Sequence, residues 1–587
     1  MGGYSLVPSN YEFLKKLRAS KTATLKPCSF LKESTQLRYY QVVGATNLMC
    51  LSRMILGDSV GLGKTCELIA AYAFLLQKDP TLKLLVVTPN SAMDQWAEEF
   101  EKFSKDIKVH VMSNEFGKLK GQNKCAHVAY LKKRGIPYNK ITGFDARKMQ
   151  YDYVKAHVLI TSYFTVQEDY TFLIQNRSPN YMVAWDECQA FKSRTTKTHF
   201  GASKISEKAV RVYGLSATVI KNRLEEAYNI FRIIVPGLFG SVARFHRNFV
   251  KLKKMKKKPG SKKRFYTIIT GYKNLKDFRT TIEPYFLIRK TKDVAKELPA
   301  IISKKVVLEM TEPQAVLYKL ALNGYIYQQR VKTKYFEFRD YYDKLLTPSE
   351  KDVTDLEKLS KAYSESLTED GMLKNKLAAL SFCQLVSNGP QWLDKTEPGE
   401  SSKETEFKRI FDQELRAEKT IVFTRFKSGI PRLATILDEL EIKYTMITGD
   451  VIKEDRKSAR LDFQNLTNKI PVIFITSAGS AALNLQAANV ILFYDTPWSY
   501  GDLYQTIGRA QRIGSIHPHV HIIHMVNKKT IDEHVLDILE SKKQLITEVV
   551  GDIAEGAIEF TGKDSIIFKE DESSIDALFK SVFKKAA

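Results

Sequence analysis

The chain has 587 residues, 44% of them hydrophobic and 27% charged, which is enough for about three domains and too apolar for global disorder. Lysine and arginine outnumber the acids by 91 to 66, a formal net charge of +25. No apolar run reaches the ~18 residues a membrane span needs, and residues 1–10 lack a basic-then-apolar leader pattern, so membrane and secreted classes are not expected.

The first strand-like runs are Leu84–Thr88, His157–Thr161, Tyr181–Trp185 and Arg211–Leu215, each almost continuously apolar, as in strands covered on both faces. Ala92–Lys105 has the pattern of a helix between two of them. The segments 224–298 and 313–386 read as mostly helical, and 347–357 and 396–405 as polar linkers. A second strand set follows: Thr420–Thr424, Lys443–Ile447, Val472–Thr476 and Val490–Tyr494, with a helix over Asp455–Gln464. Strand–helix alternation predicts an α/β fold with two doubly wound parallel sheets. The expected division is an N-terminal extension (1–30), a first lobe (31–224), a helical protrusion closing that lobe (225–298), a second helical protrusion with linker (299–404), a second lobe (405–550) and a tail (551–587).

The positive charge favours a polyanion partner, because Lys and Arg release condensed counterions from phosphates. A generally lysine-rich surface explains it equally well. The densest block, 251–264, reads as a solvated arm, a phosphate-contacting arm or a nuclear-import signal. The six cysteines, at 28, 50, 66, 125, 188 and 383, form no C-x-x-C pair and are expected as reduced thiols. His517, His519, His521 and His524 lie close together, but without Cys or carboxylate companions they read as packing or surface histidines rather than a metal site.

Three motifs carry chemistry. In Asp58-Ser59-Val60-Gly61-Leu62-Gly63-Lys64-Thr65 the small residues let the backbone curl its N–H groups toward phosphate oxygens. Lys64 would reach the β- and γ-phosphates, and Thr65 would ligate Mg²⁺ at the start of a helix. Asp186 and Glu187 end an apolar strand, where ligands bind in open α/β sheets. Asp186 would hold Mg²⁺ through water, and Glu187 would polarise the attacking water. An acidic turn is the plainer alternative. In the run from Gln505 to Arg512, Arg509 and Arg512 share one helix face and suit a transferring γ-phosphoryl group, unless they form only a basic surface.

With these motifs in order, the chain resembles the superfamily 2 helicase-like ATPases, and within them the Swi/Snf group, from about Leu37 to Val550. The resemblance implies two RecA-like lobes with helical protrusions between them. Leu37-Arg-Tyr-Tyr-Gln41 resembles the adenine-reading motif, with Tyr39 where a proline is usual; it implies that Gln41 contacts the base. Val86 to Asn90 with Trp96, and Leu159 to Tyr163, resemble nucleic-acid motifs and imply contacts from Thr88, Pro89, Thr161 and Ser162. Leu215-Ser216-Ala217-Thr218 resembles the coupling motif, to which Gln505 is added. Pro236 to Ser241 and Tyr285 to Arg289 with Lys292, Asp293 and Pro299 resemble Swi/Snf segments. In the second lobe Ile421 to Thr424, Ile447 to Asp450 with Arg456, and Thr476-Ser477 through Leu485 resemble further motifs. They add Thr424, Thr476 and Ser477 as nucleic-acid contacts. Gln189 stands where histidine is common, and Ser480 to Ala482 where glycines are favoured, so step coupling is expected to differ.

The expected function is an ATP- and Mg²⁺-dependent motor that translocates on DNA, duplex ahead of single strands with RNA left open, and remodels protein–DNA or branched structures. A strand-separating helicase and a nucleic-acid-binding scaffold with a dead ATPase are the alternatives. A monomer without a membrane partner is expected, in a bacterial or virus-infected cytoplasm, or in a nucleus.

Overall fold

In the computed structural model the described residues are 9–114, 142–175, 180–217, 224–256, 265–289, 298–315, 376–392, 401–449, 453–467, 470–476, 484–512 and 514–539, with a few isolated positions. Thr218, Ser477, Asp450, Lys292, Asp293, residues 480–483, the 257–264 part of the basic block, the 347–357 linker and the 551–587 tail lie outside them. The chain divides into two units, residues 1–251 with 272–296, and residues 252–271 with 297–587.

The first unit opens with helices α1 (Tyr11–Ala19) and α2 (Tyr39–Cys50). Then follow β1 (Arg53–Leu56), α3 (Lys64–Lys78), β2 (Lys83–Thr88), α4 (Met93–Phe103), β3 (Val109–Val111), α5 (Gly143–Tyr153), β4 (Val158–Ser162), α6 (Tyr163–Gln175), β5 (Tyr181–Asp186), α7 (Lys197–Lys208) and β6 (Arg211–Leu215). Helices α8 (Leu224–Ile234), α9 (Val242–Phe249) and α10 (Leu275–Ile282) lead to the short β9 (Phe286–Leu287). Seven strands form one sheet in the order β3-β4-β2-β5-β6-β1-β9. Every pairing is parallel, so all seven carboxyl ends lie along one edge of the sheet. Its central strands are buried on both faces: Leu84–Val87, Met182–Trp185 and Val212–Leu215 are at most 1% exposed apart from Gly214. That burial is why they read as unbroken apolar runs. Phe231, Phe239, Phe245, Phe249 and Phe278 pack ring on ring beneath α8 to α10, with Phe239 and Phe278 stacked at 5.0 Å.

The 224–298 stretch, expected to be helical, also holds β7 (Val250–Lys256) and β8 (Phe265–Tyr272), which pair with each other. Alternating lysines hid β7, because strand pairing satisfies the backbone without needing apolar side chains on both faces.

The second unit contains β10 (Ala300–Leu308), α11 (Lys376–Asn388), α12 (Ser402–Gln413), β11 (Thr420–Phe423), α13 (Ile430–Glu439), β12 (Tyr444–Ile447), α14 (Lys453–Gln464), β13 (Val472–Ile475), β14 (Val490–Phe493), α15 (Tyr500–Ala510) and β15 (His519–Asn527). Its six-stranded sheet, β10-β15-β14-β11-β13-β12, is also wholly parallel. β10 departs from the helical expectation for 299–404: this edge strand is only half covered, and Lys304 and Lys305 interrupt its apolar pattern. Lys403 of α12 is fully buried, donating to Asp532 Oδ2 at 2.9 Å and Tyr494 O at 2.9 Å.

Among the described residues, Cys28, Cys50, Cys66, Cys188 and Cys383 are free, no helix is long and apolar enough to cross a membrane, and no cluster suits a metal ion. The four histidines do not converge on one point, although the His519 and His521 rings lie 6.5 Å apart. His519 and His521 are exposed on β15, His517 Nε2 meets Ala487 O at 3.1 Å, and buried His524 stacks on Phe493. Burial holds His524 down at about 3, which suits a neutral packing residue.

Candidate active site

The phosphate loop leaves the carboxyl end of β1 and enters α3. Gly61 and Gly63 take φ of 86° and 88°, a left-handed backbone that a side chain disfavours, and Gly63 is the residue preceding α3. Lys64 Nζ donates to Asp58 O at 2.8 Å and to Ser59 O at 3.3 Å, so its ammonium lies folded over the loop. Burial lowers its proton affinity, while Glu187, Asp58, Asp186 and Glu67 oppose that loss. A cation held among carboxylates beside a ring of backbone N–H groups is poised to exchange them for a polyphosphate. Val60, Gly61 and Thr65 are partly exposed, whereas Asp58, Ser59 and Leu62 are buried.

Gln41, expected at adenine, braces this loop. Its Nε2 donates to Leu62 O at 3.1 Å and its Oε1 accepts from Arg38 N at 3.0 Å. A Cβ on Gly63 would fall 2.6 Å from that Nε2, and the positive φ of 88° is what favours glycine there.

Asp186 and Glu187 end β5, on the same sheet edge. Asp186 Oδ2 accepts from Trp96 Nε1 and from Thr88 Oγ1, both at 2.8 Å. Those two donors fix the carboxylate and occupy one oxygen. Burial and then Glu187 push the Asp186 carboxyl up to about 6, against the pull of Trp96, Thr88 and Lys64. An oxygen donor whose proton affinity a nearby cation would relieve is the chemistry of a hard divalent site, and the Thr65 hydroxyl at the head of α3 supplies a second donor of that kind. Glu187 sits at φ 54°, a left-handed conformation unusual for a residue with a side chain. Its Oε2 accepts from Gln189 Nε2 at 2.6 Å, and Gln189 Oε1 accepts from Ser216 Oγ at 2.6 Å. Gln189 thus joins the carboxylate to the segment after β6, where Ser216 and Ala217 are buried. An amide can donate at one end and accept at the other, so it bridges without a titrating ring.

In the second unit Gln505 and Arg509 lie on α15 and Arg512 just beyond it. Arg509 is 5% exposed; Arg512 is partly buried, its Nε donating to Gly508 O at 2.8 Å.

The expected nucleic-acid contacts fall differently. Thr88, Thr161, Ser162, Thr424 and Thr476 are all buried. Thr88 serves Asp186, Ser162 Oγ meets Thr165 Oγ1 at 3.2 Å, and Thr424 Oγ1 donates to Asp495 Oδ2 at 2.7 Å. The hydroxyls of Thr88, Ser162 and Thr424 thus serve groups at the strand ends, whereas Pro89 is partly exposed. Sequence reasoning missed Arg425, whose guanidinium carbon lies 3.5 Å from the Trp498 ring centroid, and it missed the partners of Arg289, a residue of the Swi/Snf-like segment that grips Asp58 and Glu67. Neither pairing has a local spacing that would flag it.

The first unit therefore has the fold and site of a phosphate-loop ATPase lobe: a glycine turn with its lysine, and a paired carboxylate at the end of a parallel sheet. Residues 36–377 match the SNF2-related domain and residues 402–514 the helicase conserved C-terminal domain. The chain belongs to the SNF2-related family, of the superfamily 2 helicase type. It is 26% identical over 524 residues to an uncharacterized ATP-dependent helicase of Mycoplasma pneumoniae, covering 88% of this chain and 42% of that one. It is 24% identical to the ATP-dependent helicase fft1 of Schizosaccharomyces pombe, with 91% and 55% covered, and 24% identical to the ATP-dependent helicase FUN30 of Saccharomyces cerevisiae, with 88% and 47% covered. The chain thus spans about half the length of the curated relatives it matches. Among solved structures, the Sulfolobus solfataricus SWI2/SNF2 ATPase core in complex with dsDNA aligns at 22% identity, covering 91% of this chain and 96% of that one, with a TM-score of 0.36.

Proposed function

We propose that this chain is a DNA-stimulated ATPase that converts hydrolysis into translocation along duplex DNA. The observation that carries the reading is the shared edge of the first sheet, where Lys64, Asp186 and Glu187 converge and Gln189 ties Glu187 to Ser216. Thr65 and Asp186 would hold Mg²⁺, which supplies charge neutralisation for the phosphates when bound. Lys64 leaves the loop carbonyls to bind the β- and γ-phosphates, Gln41 keeps the loop in shape beside the base, and Glu187 orients the attacking water. Arg509 and Arg512 stabilise charge on the transferring phosphoryl group, a contribution of ~10³–10⁵ in rate for such residues. The excess of basic side chains supports a track bound through phosphates, with sequence-tolerant, salt-sensitive affinity.

The test is phosphate release with duplex DNA, single-stranded DNA, RNA and no nucleic acid. Duplex should stimulate most. Lys64→Ala should abolish release, and Glu187→Gln should retain ATP uncleaved. Equal rates without nucleic acid, or full turnover by Glu187→Gln, would remove the reading. Displacement of a triplex strand without unwinding of a fork separates translocation from strand separation.

A further inference from the structure

The first unit closes its sheet with a segment that runs directly beside the phosphate loop. Phe286 and Leu287 pair with Ile55 and Leu56 of β1. The pairing continues past the strand: Gly57 N donates to Leu287 O at 2.7 Å, and Ser59 N to Arg289 O at 3.1 Å. Main-chain bonds thus fix Arg289 beside the loop before its side chain is considered.

Its guanidinium grips two carboxylates that flank the loop. Nε donates to Asp58 Oδ1 at 3.0 Å, and Nη2 donates to Asp58 Oδ2 and, at 2.7 Å, to Glu67 Oε2. Nη1 donates to Tyr40 O, and the guanidinium lies 5.4 Å from the Tyr40 ring centroid. The Asp58 and Glu67 side chains are fully buried and that of Arg289 is a tenth exposed. Gly44 leaves the space they occupy, since a Cβ there would fall 1.6 Å from Glu67 Oε2 and 2.8 Å from Arg289 Nη2.

Two buried carboxylates beside a triphosphate site are a liability. They repel the ligand, and they compete for Lys64, on whose charge both already act. One bidentate guanidinium offsets them, in a geometry for which a lysine ammonium is poorly shaped. We propose that Arg289 is a positioning residue for the nucleotide: it holds Asp58 and Glu67 and offsets the negative charge they place beside the loop, so that Lys64 is released more readily to the triphosphate, and it fixes the entry to the loop. This rests on the ATPase reading above.

The experiment compares wild type, Arg289→Gln, Arg289→Lys and the double variant Glu67→Gln/Arg289→Gln by steady-state ATP hydrolysis, with thermal melting as the folding control. Arg289→Gln should raise KM for ATP about tenfold, the effect of one lost charge-assisted interaction, while kcat changes less than about threefold. Arg289→Lys should fall between that variant and wild type, because it keeps the charge without the fork. The double variant should bring KM part of the way back towards wild type, because one of the two carboxylates left without Arg289 is gone while Asp58 remains. An unchanged KM in Arg289→Gln overturns the proposal. So does a folded double variant no better than the single one, or Arg289→Lys as impaired as Arg289→Gln. Should Arg289→Gln fail to fold, Arg289→Lys decides: a KM for ATP raised above wild type supports the proposal, and a wild-type KM overturns it. A wild-type chain that hydrolyses no ATP removes the underlying reading instead, and that arm is scored separately.

Discussion

Trp96→Phe isolates one hydrogen bond to the carboxylate assigned to the metal. Trp96 is 2% exposed and its indole N–H donates to Asp186 Oδ2 at 2.8 Å, so phenylalanine keeps most of the packing and removes the donor. A hydrogen bond to a charged group contributes about 1.5–3 kcal/mol, and 1.36 kcal/mol corresponds to one pKa unit. The Asp186 carboxyl, already pushed up to about 6, loses one of the groups holding it down. It should rise to roughly 7, leaving about half the carboxyl protonated at neutral pH instead of about a tenth. The sign follows from which form is active. Metal binding needs the carboxylate, so activity is lost as pH falls through the carboxyl's own pKa, and the variant should lose it at higher pH than wild type. The assay is kcat/KM for Mg·ATP from pH 6 to 9 without DNA, which reports the free enzyme. The acid limb should move up by about one unit while the alkaline plateau stays within about twofold. Thr88→Val removes the other donor to the same oxygen and should move the limb the same way. A uniform loss at every pH, or an unmoved limb, would refute the hydrogen-bond argument.

Gln189→Ala cuts the bridge between Glu187 and Ser216, and hydrolysis should fall about tenfold or more while ATP affinity is kept; unchanged turnover would deny the bridge a role. Gly44→Ala places a methyl against Glu67 and Arg289 and should cost about 1–3 kcal/mol in urea unfolding, whereas a neutral result would mean the pair relaxes freely. Lys403→Met strands Asp532 in the second unit without its cation, both side chains being at most 4% exposed. The expected loss is about 3–5 kcal/mol, read as a lowered denaturation midpoint at constant slope. A midpoint equal to wild type would contradict it.

What was legible in the sequence followed burial. Strands β2, β4, β5, β6, β11, β13 and β14 are covered on both faces, so their apolar runs were visible within a residue or two at each end; β12, an edge strand with Met446 exposed, was visible from its β-rich composition. β10 and β7 were hidden, one being a half-exposed edge strand broken by Lys304 and Lys305, the other a lysine-laced strand. The site divides in the same way. Lys64, Asp186 and Glu187 sit in short contiguous motifs, because a tight turn and a strand end are local structures. Arg289 meets Asp58 and Glu67 across 231 and 222 positions, a pairing set by strand order and invisible to spacing. Thr88 carries a contact that its motif does not announce: the fold turns its hydroxyl inward to Asp186.

The central claim is the proposal that ATP hydrolysis requires Arg509 and Arg512 as well as Lys64 and Glu187. The direct test is the single-turnover rate of phosphate release from bound ATP, with saturating duplex DNA, in Arg509→Ala and Arg512→Ala chains that still bind nucleotide. The account predicts that rate to fall by about 10³-fold or more with ATP affinity largely kept. Wild-type release from either variant would contradict it.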